Sequence, residues 1–344
     1  MRGARFLFDD DDETPGETRP AKLPPPGVGP LDFSVPSPWR GVLRPGTCSW
    51  KYPSWAGLVY DTDRCYHPHD YLVDYSRHFD TVEVDQWFWS LFPGGIRMPD
   101  PDTVVTYAQS VPENFTFSVK APNAVTLTNY YARQPPRFQD WRGKTNDRFL
   151  DVTLVEEFLE SLGPLGSRLG PVMFQFGYLN RKKMASHEWF YEKLDAFLGA
   201  LPDGYPYAVE IRNANLLRPQ WFDLLRSHNT ATVLLDGYHM PAVSRVMERH
   251  AVFTSDFVVL RLHGPDRAGI ERETGKIWNR VVAPKDRGLA TAADLVALAA
   301  ENNVRAYVNV NNHYEGSAPR TIARLLETLR ARPGPGTVSG KYDD

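Results

Sequence analysis

Apolar and polar positions alternate in short runs that recur along the chain. Tyr207-Ala208-Val209-Glu210-Ile211-Arg212-Asn213 is one of them. Val209 and Ile211 fall on one face and Glu210 and Arg212 on the other, because successive side chains of a strand point opposite ways. A single run of this kind also fits an amphipathic surface strand, so its recurrence carries the weight. Runs at 44–50, 79–85, 115–120, 171–176, 207–213, 231–236, 257–264 and 305–311 read as eight strands. Between them, apolar residues at helical spacing predict helices over 69–78, 102–110, 151–162, 188–201, 219–228, 290–302 and 318–330, with Asp102 placed to cap the second. Two polar stretches, 129–148 and 265–288, lack either period and read as excursions, the first a lid.

Strands that alternate with helices imply parallel βαβ units, and eight of them fit a closed (β/α)8 TIM barrel of class α/β better than an open sheet. The barrel is expected to be a single domain over residues 41–331. Residues 1–40 hold an acidic run from Asp9 to Glu13 and the segment Pro24-Pro25-Pro26-Gly27, and are expected to be a disordered tail. Residues 332–344 are expected to fray.

Composition narrows the function classes. The net charge of −3 gives no global basic field, so nucleic acid would need a local patch. Two cysteines, Cys48 and Cys65, exclude a disulfide framework and a multi-cysteine zinc module. No apolar run is long enough for a membrane helix, and no secretion leader is visible, so a cytoplasmic protein is expected. No Gly-x-Gly-x-x-Gly follows the first strand, and no phosphate-cradling Gly-rich loop ends in Lys-Ser/Thr, which weighs against dinucleotide and NTPase chemistry.

In such barrels the chemistry lies at the C-terminal strand ends. Strand parity sends Glu83, Asp85, Lys120, Gln175, Glu210, Arg212, Asp236, Arg261, His263, Asn309 and Asn311 toward the axis there. Apolar residues would fill that space at less cost, since an unpaired buried ion costs several kcal/mol. Such a set either plugs the barrel as a self-satisfied network or lines a ligand site. Lys120, Arg212 and Arg261 suit a carboxylate or phosphate. Glu210 is the leading general acid or base, with Glu83 and His263 as catalytic companions. Gln175, Asp85, Asp236, Asn309, Asn311 and Asn312 add polar substrate contacts. Glu83, Glu210, Asp236 and His263 also form a donor set for one divalent metal, although nothing in the sequence requires a cofactor. Trp50 and Trp55 either pack in the core or stack on a ring-shaped ligand. The Asn-rich end Asn309 to Pro319 reads equally as an anion site at a helix N-terminus or as a capped turn.

At these residues the sequence resembles the domain of unknown function 72 family. The matching pieces are Gly46-Thr47-Cys48-Ser49-Trp50, Tyr52-Pro53-Ser54-Trp55-Ala56-Gly57, Phe79 to Val84, Phe117 to Pro122, Phe174-Gln175, Val209-Glu210-Ile211-Arg212, Val259 to Gly264 and Asn311-Asn312. They occur in family order over roughly residues 44–328. The resemblance implies a TIM barrel with a polar pocket and no established reaction. The family commonly has Asn where this chain has Asp85, and a Phe-Tyr pair where it has Phe88-Trp89. The stretch 264–288 resembles that of one branch.

The expected function is an enzyme of hydrolase, lyase or isomerase class, acting on a small polar anionic substrate such as a sugar phosphate or nucleotide fragment. The alternatives are a metal-dependent phosphodiesterase or endonuclease, by fold analogy alone, and a binding protein that senses an anionic metabolite without turnover.

Overall fold

The structure, a computed structural model, describes residues 31–62, 64, 66–93, 95–134 and 136–334. Eight parallel strands close into a barrel: β1 Leu43–Cys48, β2 Thr81–Val84, β3 Thr116–Lys120, β4 Leu169–Gln175, β5 Tyr207–Glu210, β6 Ala231–Gly237, β7 Phe257–Gly264 and β8 Arg305–Val310. Each strand pairs with its sequence neighbours, and β1 pairs with β8 to close the ring. The (β/α)8 expectation therefore holds. A two-stranded antiparallel hairpin, Leu91–Phe92 with Gly95–Ile96, stands apart from the barrel.

Both faces of these strands are buried, as parallel sheets require. Outward residues such as Val82, Val84, Phe117, Phe174, Val258, Leu260 and Val308 join the helices in one large core. Inward residues make a separate small cluster of Met173, Ala208, Ala231, Val233, Phe257, Val259 and Tyr307. That apolar plug fills the barrel on the N-terminal side of Glu83, Gln175, Glu210 and Arg261, so the polar layer rests on a dry floor.

Helices differ from expectation in detail. The first covers only Asp70–Tyr75. The second is Pro101–Gln109, and its cap is Asp100, not Asp102, because Pro101 takes the first helical position and the Asp100 carboxylate accepts from the Thr103 N–H at 3.0 Å. The excursion 265–288 contains a helix, Arg267–Thr274, capped by Asp266 and ended by left-handed Gly275. Its charged sequence hid it from a search for apolar periodicity. Val243–Arg249 is a further helix not expected. The next begins at Asp286 rather than 290.

The tail expectation divides. Residues 1–30 lie outside the described residues, as do 335–344. Residues 31–40, placed in the tail by their composition, instead pack on the barrel. Phe33 and Trp39 are buried, and the Trp39 indole N–H donates to the Leu329 carbonyl at 3.1 Å. Two aromatics in ten residues suffice to dock a segment that lacks regular periodicity.

Candidate functional site

Arg261, on β7, stands at the centre of the barrel mouth and is 1% exposed. Its Nε donates to Glu83 Oε2 at 2.8 Å and its Nη2 to Glu83 Oε1 at 2.5 Å. Its Nη1 donates to Glu210 Oε2 and, at 3.1 Å, to Gln175 Oε1. Arg212 Nε reaches Glu210 Oε1 at 2.9 Å. Asn309 Nδ2 adds a contact to Glu83 Oε2 at 3.3 Å. Side chains from β2, β4 and β5 thus converge on the one guanidinium carried by β7, and β8 joins through Glu83.

These contacts set the charge states. Burial alone would raise the Glu210 carboxyl, but Arg261 and Arg212 outweigh it and hold the group below the usual carboxylate value. Burial likewise opposes the Arg261 charge, yet Glu210 and Glu83 hold it firmly protonated. Glu210 is therefore a fixed carboxylate that positions two guanidiniums, which makes it a poor general acid.

His263, two residues after Arg261 on the same face, is buried beside this network. Burial first, then Arg261, Arg212 and Lys120, keep its imidazole well below the ordinary value, so it is neutral. Its Nδ1 lies 3.2 Å from the Tyr238 hydroxyl and its Nε2 3.6 Å from Cys48 Sγ. The Tyr238 ring also carries the Arg212 guanidinium, 4.3 Å from the ring centroid. Burial, then the Glu83 charge, pushes the Cys48 thiol well up, so it stays protonated. Cys48 Sγ, Glu83 Oε2 and His263 Nε2 lie within 4.8 Å of one another.

Lys120, at the end of β3, is buried with its ammonium 4.5 Å from the Phe88 ring centroid. No carboxylate pairs with it among the described residues. Asp85 lies just past the end of β2 and is half-buried, near enough to Cys48 to raise its thiol further. Two buried polar atoms of the mouth, Asn309 Oδ1 and Ser118 Oγ, have no partner among the described residues. Ser118 pairs in register with Glu83.

Other expected site residues go elsewhere. Asp236 is turned away from the axis. Leu235 is in register with the inward Arg261, and Asp236 with the outward Leu262. The Asp236 carboxylate accepts instead from the Tyr314 hydroxyl at 2.8 Å, in the helix layer. The four-residue metal set with Asp236 is therefore not assembled. Trp50 and Trp55 are both buried and offer no face to a ligand. Trp55 donates its indole N–H to Asn312 Oδ1 at 3.2 Å, and Trp50 packs edge-on against Tyr107. The Asn312 Oδ1 also accepts the Ala318 N–H at 2.9 Å, so this residue closes the turn before the last helix. Asn311 is half-buried and accepts from the His313 backbone N–H at 2.9 Å. The Asn-rich segment is thus a capped turn.

Ser118, which strand parity places inward with Lys120, reaches the mouth, as do residues not proposed for the site from the sequence: Cys48, Tyr238, Phe88 and Tyr131. Cys48 ends β1 in register with Glu83, so applying parity to the first strand finds it. Tyr238 and His239 have positive φ, 50° and 63°, beyond the end of β6. That turn is invisible to a period-two pattern.

A family model described as a protein of unknown function, DUF72, matches residues 44–339. A solved DUF72 family protein from Thermotoga maritima is 22% identical, with 84% of this chain and 99% of that chain covered and a TM-score of 0.58. Another, from Enterococcus faecalis, is 20% identical, with 85% and 96% covered and a TM-score of 0.55. At such identity the likeness speaks to the fold. Among curated proteins none matches.

Proposed function

The chain belongs to the DUF72 family, and from that premise and the charges of its barrel mouth we propose an enzyme acting on a small polar anionic substrate. One observation carries the reading. Lys120 is a buried ammonium with no carboxylate partner among the described residues, beside two guanidiniums whose own carboxylates are already engaged. Burying a cation without a counter-ion costs several kcal/mol. A carboxylate, sulfate or phosphate oxygen of a ligand removes that cost.

Within this reading Lys120 and the exposed side of Arg212 hold the anion. His263 serves as the acid–base group. Its ring is neutral at rest because burial and the bordering cations oppose its protonation. The negative charge of a bound anion offsets those cations, so proton acceptance is tied to ligand binding. Tyr238 at Nδ1 fixes the ring's orientation. Glu83 and Glu210 hold Arg261 in place. The acid–base role moves from Glu210 to His263 because two guanidiniums lock Glu210 in its charged form.

A divalent ion on Cys48, Glu83 and His263 fits less well. Both Glu83 oxygens already accept from Arg261. Each unit positive charge at about 4 Å opposes a divalent ion by roughly 8 kcal/mol at an effective dielectric of 20. Three cations border the site.

The test is thermal unfolding with millimolar ribose 5-phosphate in the presence of a chelator. A ligand at about 100 times its Kd adds about 2.7 kcal/mol, which is readable as a rise in Tm. The rise is expected to survive the chelator and to disappear in Lys120→Met. No rise in the intact protein overturns the anion site. A rise that needs added divalent metal overturns the metal-free form of it.

A further inference from the structure

We propose that Gln175 sets the specificity of this mouth. Its carboxamide presents N–H beside the Lys120 ammonium, so the group bound there is an oxyanion whose contacting oxygens carry no proton, as in a sulfate ester or a fully ionised phosphate ester. The inference rests on the anion site above and narrows its ligand class.

The two ends of an amide match in shape and differ in chemistry, so a neighbour must decide which one faces a ligand. Arg261 decides it for Gln175. A guanidinium only donates, and Arg261 Nη1 lies 3.1 Å from one end of the carboxamide, which is therefore Oε1. That leaves Nε2 as the open end. It meets no acceptor among the described residues and keeps contact with solvent.

Strand register places this donor. Lys120 pairs with Met173, and Gln175 is the next inward residue of β4 beyond it. Lys120 and Gln175 are each 7% exposed, so both reach the mouth by their tips alone. Glu210 pairs with Gln175, and Arg212 is the next inward residue beyond Glu210. The Arg212 side chain gives its Nε to Glu210 and is 23% exposed. Donors from three consecutive strands, β3, β4 and β5, thus climb one wall of the mouth.

Among the described residues, that wall offers a ligand no open side-chain acceptor in exchange. Both Glu210 oxygens are taken by guanidiniums, and the residue is buried. Two unpartnered acceptors of the mouth, Ser118 Oγ and Asn309 Oδ1, are sealed from solvent. An oxygen that bears a proton would find no side chain on this wall to receive it, whereas each ionised oxygen would find an N–H.

Titration at pH 8 with inorganic sulfate, inorganic phosphate and ribose 5-phosphate tests this on the native chain, Gln175→Met and Gln175→Glu. At that pH ribose 5-phosphate is fully ionised, whereas inorganic phosphate keeps one O–H and sulfate has none. Sulfate is expected to bind at least as tightly as inorganic phosphate. Tighter binding of phosphate overturns the inference, because it requires an acceptor in the site. Gln175→Met is expected to weaken sulfate and ribose 5-phosphate by roughly tenfold or more, the worth of a hydrogen bond to a charged group. Gln175→Glu keeps an acceptor for Arg261 and gives Lys120 the counter-ion it lacks. It is expected to raise Tm without ligand and to bind none of the three probes. Both variants leave Arg261 its bond to Glu210, so both are expected to fold, which circular dichroism checks. If Gln175 merely braces Arg261, Gln175→Glu binds as the native chain does, and that result overturns the inference. Native-like binding by Gln175→Met overturns it too and leaves the anion site standing. Failure of all three probes to bind the native chain overturns the anion site as well.

Discussion

Glu210 shows how far one residue's neighbours decide its chemistry. Its place at the end of a short strand is readable from the sequence, but its two guanidinium partners come from Arg212, two residues away, and Arg261, fifty-one residues on. The usual carboxylate value is about 4.3 for Glu, and the folded value lies below it. The stability that Glu210 contributes is therefore fully present above the unfolded value. It is lost as pH falls through the lower folded value. Glu210→Gln leaves two cations short of a counter-charge and is expected to cost about 3–5 kcal/mol near neutral pH. The gap between the two proteins in urea unfolding is expected to narrow only in acid, below the ordinary carboxylate range. A gap that closes at pH 5 would show that Glu210 is not held as a carboxylate. Trp55 and Asp236 mark the opposite limit. Residue type suggested a ligand contact for each, and a hydrogen bond within the fold claims each instead.

Among the elements, β6 and its exit explain why parity misplaced Asp236. Both faces of a barrel strand are apolar, so the run Val233-Leu234-Leu235 offers no alternation from which to fix the inward side. The register shifts between Asp236 and Gly237, and the chain then turns through positive φ at Gly237, Tyr238 and His239. Gly237 has φ 146°, and a Cβ there would lie 2.5 Å from the Gly264 carbonyl oxygen. The close approach of the ends of β6 and β7 is what brings the Tyr238 hydroxyl to His263. Gly237→Ala is expected to destabilise the fold by about 1–3 kcal/mol and to weaken anion binding, as measured by denaturant unfolding and titration. Unchanged values in both would mean that the two strand ends need not touch. The opposite case is the helix Arg267–Thr274, whose Asp266 cap and Gly275 stop are ordinary signals that a search for apolar spacing passes over.

For the molecule as a whole, the decisive event is closure, in which β1 pairs with β8 across most of the chain's length. The seam is reinforced outside the barrel by Trp39, whose indole donates to Leu329, and by Arg330, which reaches Asp32 at 2.6 Å. Trp39→Ala is expected to cost about 3–5 kcal/mol. A loss under 1 kcal/mol by calorimetry or denaturant unfolding would show that the segment is only draped on the surface. The sequence by itself determined the eight alternating units, the barrel they form and the end of the barrel where polar residues gather, because period-two and period-3.6 patterns are local and each strand carries its own. It also identified Lys120, Arg212, Arg261, Glu83, Glu210 and His263 as residues that reach that end. The tertiary structure alone decided which charges neutralise one another and which are left over. It turned Asp236 outward and buried Trp50 and Trp55. It brought Cys48, Tyr238 and Tyr131 from distant segments to the mouth and left Trp89 partly in water. Pairing and burial depend on distances between strands that no single stretch of sequence contains, and in a low-dielectric interior those distances set each group's charge.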